Sequence, residues 1–227
     1  MRVYHFLVSY VLLTTMGPAY YHAQEYGSYN MSQAVMSFFL GMNFLVCIWE
    51  IGLGINIDFI YAENKRLTRK YRKNNFGAVM DFFAKPLSLT EMFTLKYWAS
   101  VWSTYSLYDP SYANRESFGF FVDVGNGWTT LVPTLLFQAA MTIDLDSYGL
   151  SPLVVGVVGI LSFYQEFYGT VIYFLSFFMN KRHMGKGVVE VLLFVGLTNG
   201  IWFFCPLLGM SLSYQMIRDG NYACVRA

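Results

Sequence analysis

Ser117-Phe-Gly-Phe-Phe-Val-Asp123-Val-Gly-Asn126-Gly-Trp128-Thr129-Thr130-Leu-Val-Pro133, running on to Thr142-Ile143, is long and apolar enough to cross a bilayer, yet it carries an aspartate, an asparagine, two threonines and a proline. In hydrocarbon an ionisable side chain costs ~2.5–3.5 kcal/mol on the insertion scale, so Asp123 is expected to face a protein interior and to mark a functional site. The whole chain agrees with this reading. Of its 227 residues, 56% are hydrophobic and 13% charged, and that charged share is about half of the ~25% usual in soluble domains. The class that follows is an all-α polytopic membrane protein, one membrane domain over residues 1–227. A net charge of +1 gives no global field for nucleic acid, and no nucleic-acid-binding motif is present.

Working outward, four more apolar runs stand at about 3–21, 34–61, 152–179 and 188–217. With 117–143 they make a bundle of five transmembrane helices. Asn43 and Glu50 lie seven apart in the second run and share a face. Asp58 belongs at the membrane surface. In the fourth run Glu166, Thr170 and Tyr173 recur at i, i+4 and i+7, a polar stripe on an apolar helix. The fifth carries Asn199 and Trp202, then Pro206, where a kink is expected.

Between the runs, Ser88-Leu-Thr-Glu91 has the capping-box pattern and opens a helix over 88–108. Trp98, Trp102 and Tyr105 form one aromatic stripe on it, so the helix is expected to lie in the membrane interface until Asp109-Pro110 ends it. The run Glu63 to Lys73 and the segment Lys181–Lys186 are basic; Asp144–Ser147 is acidic; Asn30-Met31-Ser32 is a glycosylation sequon. The positive-inside rule places the N-terminus and the basic segments in the cytoplasm, with 63–73 as a solvated loop near anionic headgroups. Three cysteines without a C-x-x-C pair argue against a disulfide framework or a zinc site. His5, His22 and His183 are expected to be solvated or interfacial.

Several of these residues carry a resemblance. Trp102-x-x-Tyr105-x-x-x-Asp109-x-x-Tyr112, then Val122-Asp123, Thr129 and Pro133, resembles the emopamil-binding protein (EXPERA) family, which includes a sterol isomerase. Glu50, Tyr168-Gly169-Thr-Val-Ile-Tyr173-Phe174 and Asn199-Gly-Ile-Trp202 with Pro206 match further family pieces in order, over about residues 40–215. Val46 stands where the isomerase has a histidine, Asp123 where it has a glutamate, and Glu166 where it has a glutamine. Trp49-Glu50 also resembles a pair in fungal membrane terpene cyclases.

Three charged and unpaired acids, Glu50, Asp123 and Glu166, would cost ~8–10 kcal/mol in lipid, so they must be paired, hydrated or protonated. A protonated carboxyl in a dry pocket donates protons, and an ionised partner takes one back or steadies a cation. The constellation therefore suits acid-catalysed alkene or epoxide chemistry without a metal or organic cofactor. Glu50 and Asp123 are the expected acid–base pair, with Glu166 a third member or its orienter. Asn43, Tyr105, Asn126, Thr170, Tyr173, Asn199 and Trp202 are the expected binding residues, the aromatics steadying a cation. The substrate would be a sterol or other isoprenoid entering from lipid. The isomerase and cyclase readings stand above a lipid-binding or scaffold protein. An endoplasmic-reticulum membrane is the default location, and a homodimer is left open.

Overall fold

The computed structural model describes residues 1–72 and 74–226. Helix accounts for 81% of the chain and no strand is present among the described residues, which makes it all-α. In chain order the helices are α1 (Val3–Tyr26), α2 (Met31–Ile55), α3 (Ile57–Tyr71), α4 (Asn75–Ala84), α5 (Leu89–Met92), α6 (Leu95–Tyr105), α7 (Phe118–Thr129), α8 (Leu131–Ala140), α9 (Pro152–Met179), α10 (Val188–Asp219) and α11 (Ala223–Arg226). Short 3-10 turns at Pro110–Ala113 and Leu145–Tyr148 complete them.

Three helices, α2, α9 and α10, are long and apolar enough to cross a membrane, where five runs were expected. The 117–143 run divides at Thr130 into α7 and α8. Pro133 has no N–H for the carbonyl of Thr129, so the hydrogen-bond ladder stops there. The α1 helix is long enough, but its tyrosines, threonines, His5 and Pro18 make it less apolar.

Other boundaries move for local reasons. The 34–61 run breaks at Asn56, whose amide donates back to the Gly52 carbonyl at 3.0 Å, and α3 begins at Ile57. The basic stretch after Glu63 is helix, not loop. As part of α3, which packs Ile57, Ile60 and Leu67 inward, it leaves Lys65 and Arg69 exposed; Arg72 follows the helix end, and Lys73 lies outside the described residues. Pro206 sits within continuous helix, and the irregularity of α10 is a π-helical stretch at Leu192–Leu197. Asp58 is exposed and paired with Arg115 at 2.6 Å, in keeping with a surface charge.

The chain forms two compact units. The first is built from Met1–Val8, Val46–Trp128 and Gly169–Gly200. Helix α6 is its centre. The capping box at Ser88 and Glu91 is formed, but the aromatic stripe of α6 faces protein rather than lipid. Trp98 packs with Val3, Phe82 and Leu87, and Trp102 with Leu53, Ile60, Tyr108 and Tyr112. The large indole areas are better buried against these side chains than in the interface. The N-terminus is tied in by Val3 N–H to the Lys85 carbonyl (3.0 Å) and Leu87 N–H to the Met1 carbonyl (2.8 Å). Helix α7 approaches α2 at Gly127, where a Cβ would stand 2.8 Å from the Glu50 Cβ and 2.9 Å from the Cys47 carbonyl oxygen.

The second unit holds Ser9–Leu45, Thr129–Tyr168 and the chain from Ile201 onward. Met36, Phe39, Leu40, Phe137, Phe163 and Leu212 are among its core residues. Here α9 and α10 meet through small residues: a Cβ on Gly156 would lie 2.8 Å from the Ser213 carbonyl oxygen, the close approach that membrane helices use. The C-terminus is held by Tyr222 Oη donating to the Leu150 carbonyl (2.8 Å) and by the Arg226–Asp144 pair (2.6 Å). His22, expected at a solvated edge, is fully buried against the Val225 carbonyl at 3.1 Å.

Helix α9 shows how sequence becomes surface. Val154, Val157, Leu161, Tyr164, Tyr168, Leu175 and Phe178 form an exposed apolar stripe, while Phe163, Glu166, Thr170, Tyr173 and Phe177 are buried. Polar groups inside and apolar groups outside is the pattern lipid selects. Charge divides too: of the fourteen lysines and arginines among the described residues, twelve belong to the first unit and two to the second.

Candidate active site

In the first unit α6 supplies Trp102 and Tyr105, the turn after it Asp109 and Tyr112, α7 Asp123, α9 Tyr173, the loop after α9 Arg182, and α10 Asn199. Tyr112 stacks on Trp102 with ring centroids 5.0 Å apart, and lies 5.2 Å from Tyr105 and 6.0 Å from Tyr173. Trp102 is itself fixed, since its indole N–H donates to the Trp49 carbonyl at 2.7 Å. The outcome is an aromatic cluster whose hydroxyl tips meet polar groups.

Those tips are ordered. Asn199 Nδ2 donates to the Tyr105 hydroxyl at 3.0 Å and to the Val195 carbonyl at 2.8 Å. The Tyr105 and Tyr173 hydroxyls are 3.1 Å apart. Asp109 is wholly buried; its Oδ1 accepts from Ser111 N–H at 2.9 Å and its Oδ2 from Arg182 at 3.3 Å. The Asp109 carboxylate also interacts with the Tyr173 hydroxyl. The partly accessible Asp123 interacts with the Tyr112 hydroxyl, and Asp109 is close enough to act on it electrostatically. In the loop, burial holds Lys186 below the ordinary lysine value, with Asp109 acting in the other direction, and its Nζ donates to the Arg182 carbonyl.

A second polar cluster sits in the second unit. Asn43 is 2% exposed and bonds three helices from α2: its Nδ2 donates to Thr134 Oγ1 of α8 at 2.8 Å and to Glu166 Oε1 of α9 at 2.7 Å, and its Oδ1 accepts from the Trp202 indole of α10 at 2.7 Å. An indole N–H can only donate, so the amide's orientation is fixed by Trp202. Glu166 is 1% exposed.

The residues expected from sequence thus fall into two sets. Tyr105, Tyr173 and Asn199 are bonded to one another, with Asp123 reached through Tyr112. Asn43, Glu166 and Trp202 are bonded in the other unit. Glu50 is 5% exposed in the first unit, beneath Gly127. Asn126 lies on α7 and buried Thr170 on α9, also in the first unit. The acid interacting with Asp123 is Asp109, which the sequence sets both at the end of the 88–108 helix and in the motif running from Trp102 to Tyr112. Tyr112, Arg182 and Thr134 were not expected in the site. Spacing held the signal for the first, since Asp109 and Tyr112 belong to one motif with Trp102 and Tyr105. Arg182 was absorbed into the basic-loop signal, and no pattern singles out Thr134. Among the described residues no three His, Cys, Asp or Glu side chains gather where a metal ion could be held. Comparison with protein-family models, with curated proteins and with solved structures gave no match to this chain.

Proposed function

We propose that the protein is a membrane-embedded, cofactor-independent isomerase acting on a sterol or related isoprenoid lipid. Asp123, with Tyr112, protonates an alkene, and the faces of Trp102, Tyr105, Tyr112 and Tyr173 steady the carbocation. A desolvated cation–π contact is worth up to ~2 kcal/mol each, and positioned acid–base transfer contributes ~10²–10⁴-fold. The observation that carries this reading is the aromatic cluster whose hydroxyls bond one another and a carboxyl, in a chain with apolar outer surfaces. Ring closure of a prenylated epoxide is the alternative for the same residues, and the choice of substrate separates the two.

Five crossings accompany the proposal. They are the five apolar runs read from the sequence, of which α2, α9 and α10 are helices long and apolar enough to span. The proposed orientation follows the positive-inside rule, with the basic segments 63–73 and 181–186 in the cytoplasm and the acidic loop, the sequon and the C-terminus on the far side. An endoplasmic-reticulum membrane is the proposed location.

Microsomes carrying the wild type or Asp123→Asn at equal expression, supplied with a Δ8-sterol and separately with a prenylated epoxide, test the function. Conversion of one substrate by the wild type and its loss in the variant is the expected result. Conversion of neither substrate, or equal conversion by both proteins, overturns the reading.

A further inference from the structure

The hydroxyl chain of the first unit has fixed groups at both ends, an amide donor and a carboxyl acceptor. Asn199 Nδ2 faces the Val195 carbonyl, which can only accept, so the amide cannot be turned around. The same nitrogen therefore donates to the Tyr105 oxygen. Either oxygen of the Tyr105–Tyr173 pair could donate, and the arrangement that gives every proton an acceptor has Tyr105 donating to Tyr173. The Tyr173 proton is left for the Asp109 carboxylate beside it. Asp109 fixes the far end as an acceptor, because it already takes a backbone N–H from Ser111 and a guanidinium N–H from Arg182. Arg182 is held by the end of α9. Lys181 takes the left-handed conformation (φ 55°), with Lys181 N–H on the Phe178 carbonyl and Arg182 N–H on the Phe177 carbonyl, the pattern that closes a helix terminus. The Arg182 side chain is 17% exposed, so the chain of groups runs from the aromatic cluster to the protein surface.

We propose that Asp109 and Arg182 are positioning residues that keep Tyr105 a proton acceptor and route the proton lost by the substrate cation, through Tyr173, toward the surface loop at 180–186. The proposal rests on the isomerase reading above and adds the half of the cycle that reading leaves open. The step balances: a C–H bond beside the cationic carbon breaks and its electron pair forms the new double bond. The proton joins the Tyr105 oxygen as the Tyr105 proton passes to Tyr173 and the Tyr173 proton to the Asp109 carboxylate. Arg182, bonded to Asp109 and itself partly exposed, connects the carboxyl to water at the loop, where the proton leaves. Asp123 takes its next proton separately, so the two ends of the reaction are served by different carboxyls.

Two measurements test this. Infrared spectra of the protein in phosphatidylcholine nanodiscs need no substrate. Asp109→Asn paired with Arg182→Gln, chosen to avoid stranding the guanidinium, should remove an ionised-carboxylate band at neutral pH. Loss of a protonated-carboxyl band instead overturns the proposal. With the microsomal assay, Tyr173→Phe keeps the ring and removes only the relay oxygen. It should lower kcat by ~10²-fold with KM unchanged, and should alter the solvent deuterium isotope effect on kcat. Wild-type kcat and isotope effect in Tyr173→Phe overturn the relay and leave the isomerase reading standing. A wild type that converts no isoprenoid removes the isomerase reading, and the infrared result then decides the orientation of the chain alone.

Discussion

Asn43→Leu should be among the most damaging single changes in the second unit, although leucine nearly matches asparagine in size. The substitution removes three bonds at once: to Thr134 (2.8 Å), to Glu166 (2.7 Å) and from Trp202 (2.7 Å). Interhelical hydrogen bonds in a membrane protein average ~0.6 kcal/mol, with ~1.7 kcal/mol as a maximum, because the unfolded chain in lipid finds other partners. Three such bonds give ~2 kcal/mol on the average value and ~5 kcal/mol on the maximum. The upper part of that range applies here, since Asn43 is 2% exposed and Glu166 1% exposed, and water cannot easily replace the amide. The assay is reversible unfolding in mixed micelles on raising the denaturing-detergent fraction, with Thr134→Val and Trp202→Phe as single-bond controls. Each control should cost about a third of Asn43→Leu. Trp202→Phe should cost markedly less in the Asn43→Leu background, where the indole has already lost its acceptor. An Asn43→Leu protein within ~0.5 kcal/mol of wild type would refute the hub, because surface changes alone give that much. So would an equal cost of Trp202→Phe in both backgrounds.

Three other outcomes follow from the first unit. Gly127→Ala should destabilise by ~1–3 kcal/mol, the range for overpacking, because its Cβ meets the backbone of Cys47 and Ile51 at 2.9 Å; Gly125→Ala meets nothing within 4 Å and should be neutral or stabilising in the same unfolding assay. Arg182→Met strands a wholly buried Asp109 and should cost about 3 kcal/mol, the low end for a broken buried pair since the arginine is partly exposed; adding Asp109→Asn should restore most of the loss. Glu91 is held below the ordinary glutamate value by the backbone and then the side chain of Ser88. A depressed folded value means the capping contact is fully present above the unfolded pKa and is lost as pH falls through the folded one, so amide protection at Ser88 and Glu91 should fall on acidification; Glu91→Gln should remove that pH dependence, and Ser88→Ala, which keeps the backbone donor, should only lessen it.

Much of the fold was legible because lipid imposes a simple rule. Long apolar runs become helices, and 152–179 is bounded in the structure as the sequence reading placed it. What was missed turned on single backbone groups. Pro133 withholds one N–H and splits the 117–143 run; Asn56 folds its amide onto Gly52 and turns a basic loop into the amphipathic α3. The aromatic stripe of α6 was visible as a stripe, but periodicity names a face without naming what covers it, and the cover is Val3, Phe82 and Tyr112 from elsewhere in the chain.

The site divides along the same line. Position on one helix was readable: Glu166, Thr170 and Tyr173 share the buried side of α9, and Asn43 and Glu50 that of α2. Pairing across helices was not, because it depends on which tips meet. Asn43 bonds Glu166 and Trp202, and Asp123 interacts with Asp109, pairings that no spacing rule gives. Arg182 shows why. A basic residue after a membrane helix satisfies the positive-inside rule whether it faces water or not, so composition explains its presence completely and conceals its second role. Only the left-handed turn at Lys181, which aims Arg182 at the buried Asp109, separates a topogenic charge from one that orders a hydroxyl chain. Exchange of Arg182 for lysine tests that distinction: topology needs only the charge and should survive, whereas Asp109 loses the Arg182 Nη1 donor at 3.3 Å and the Tyr173 relay its fixed end.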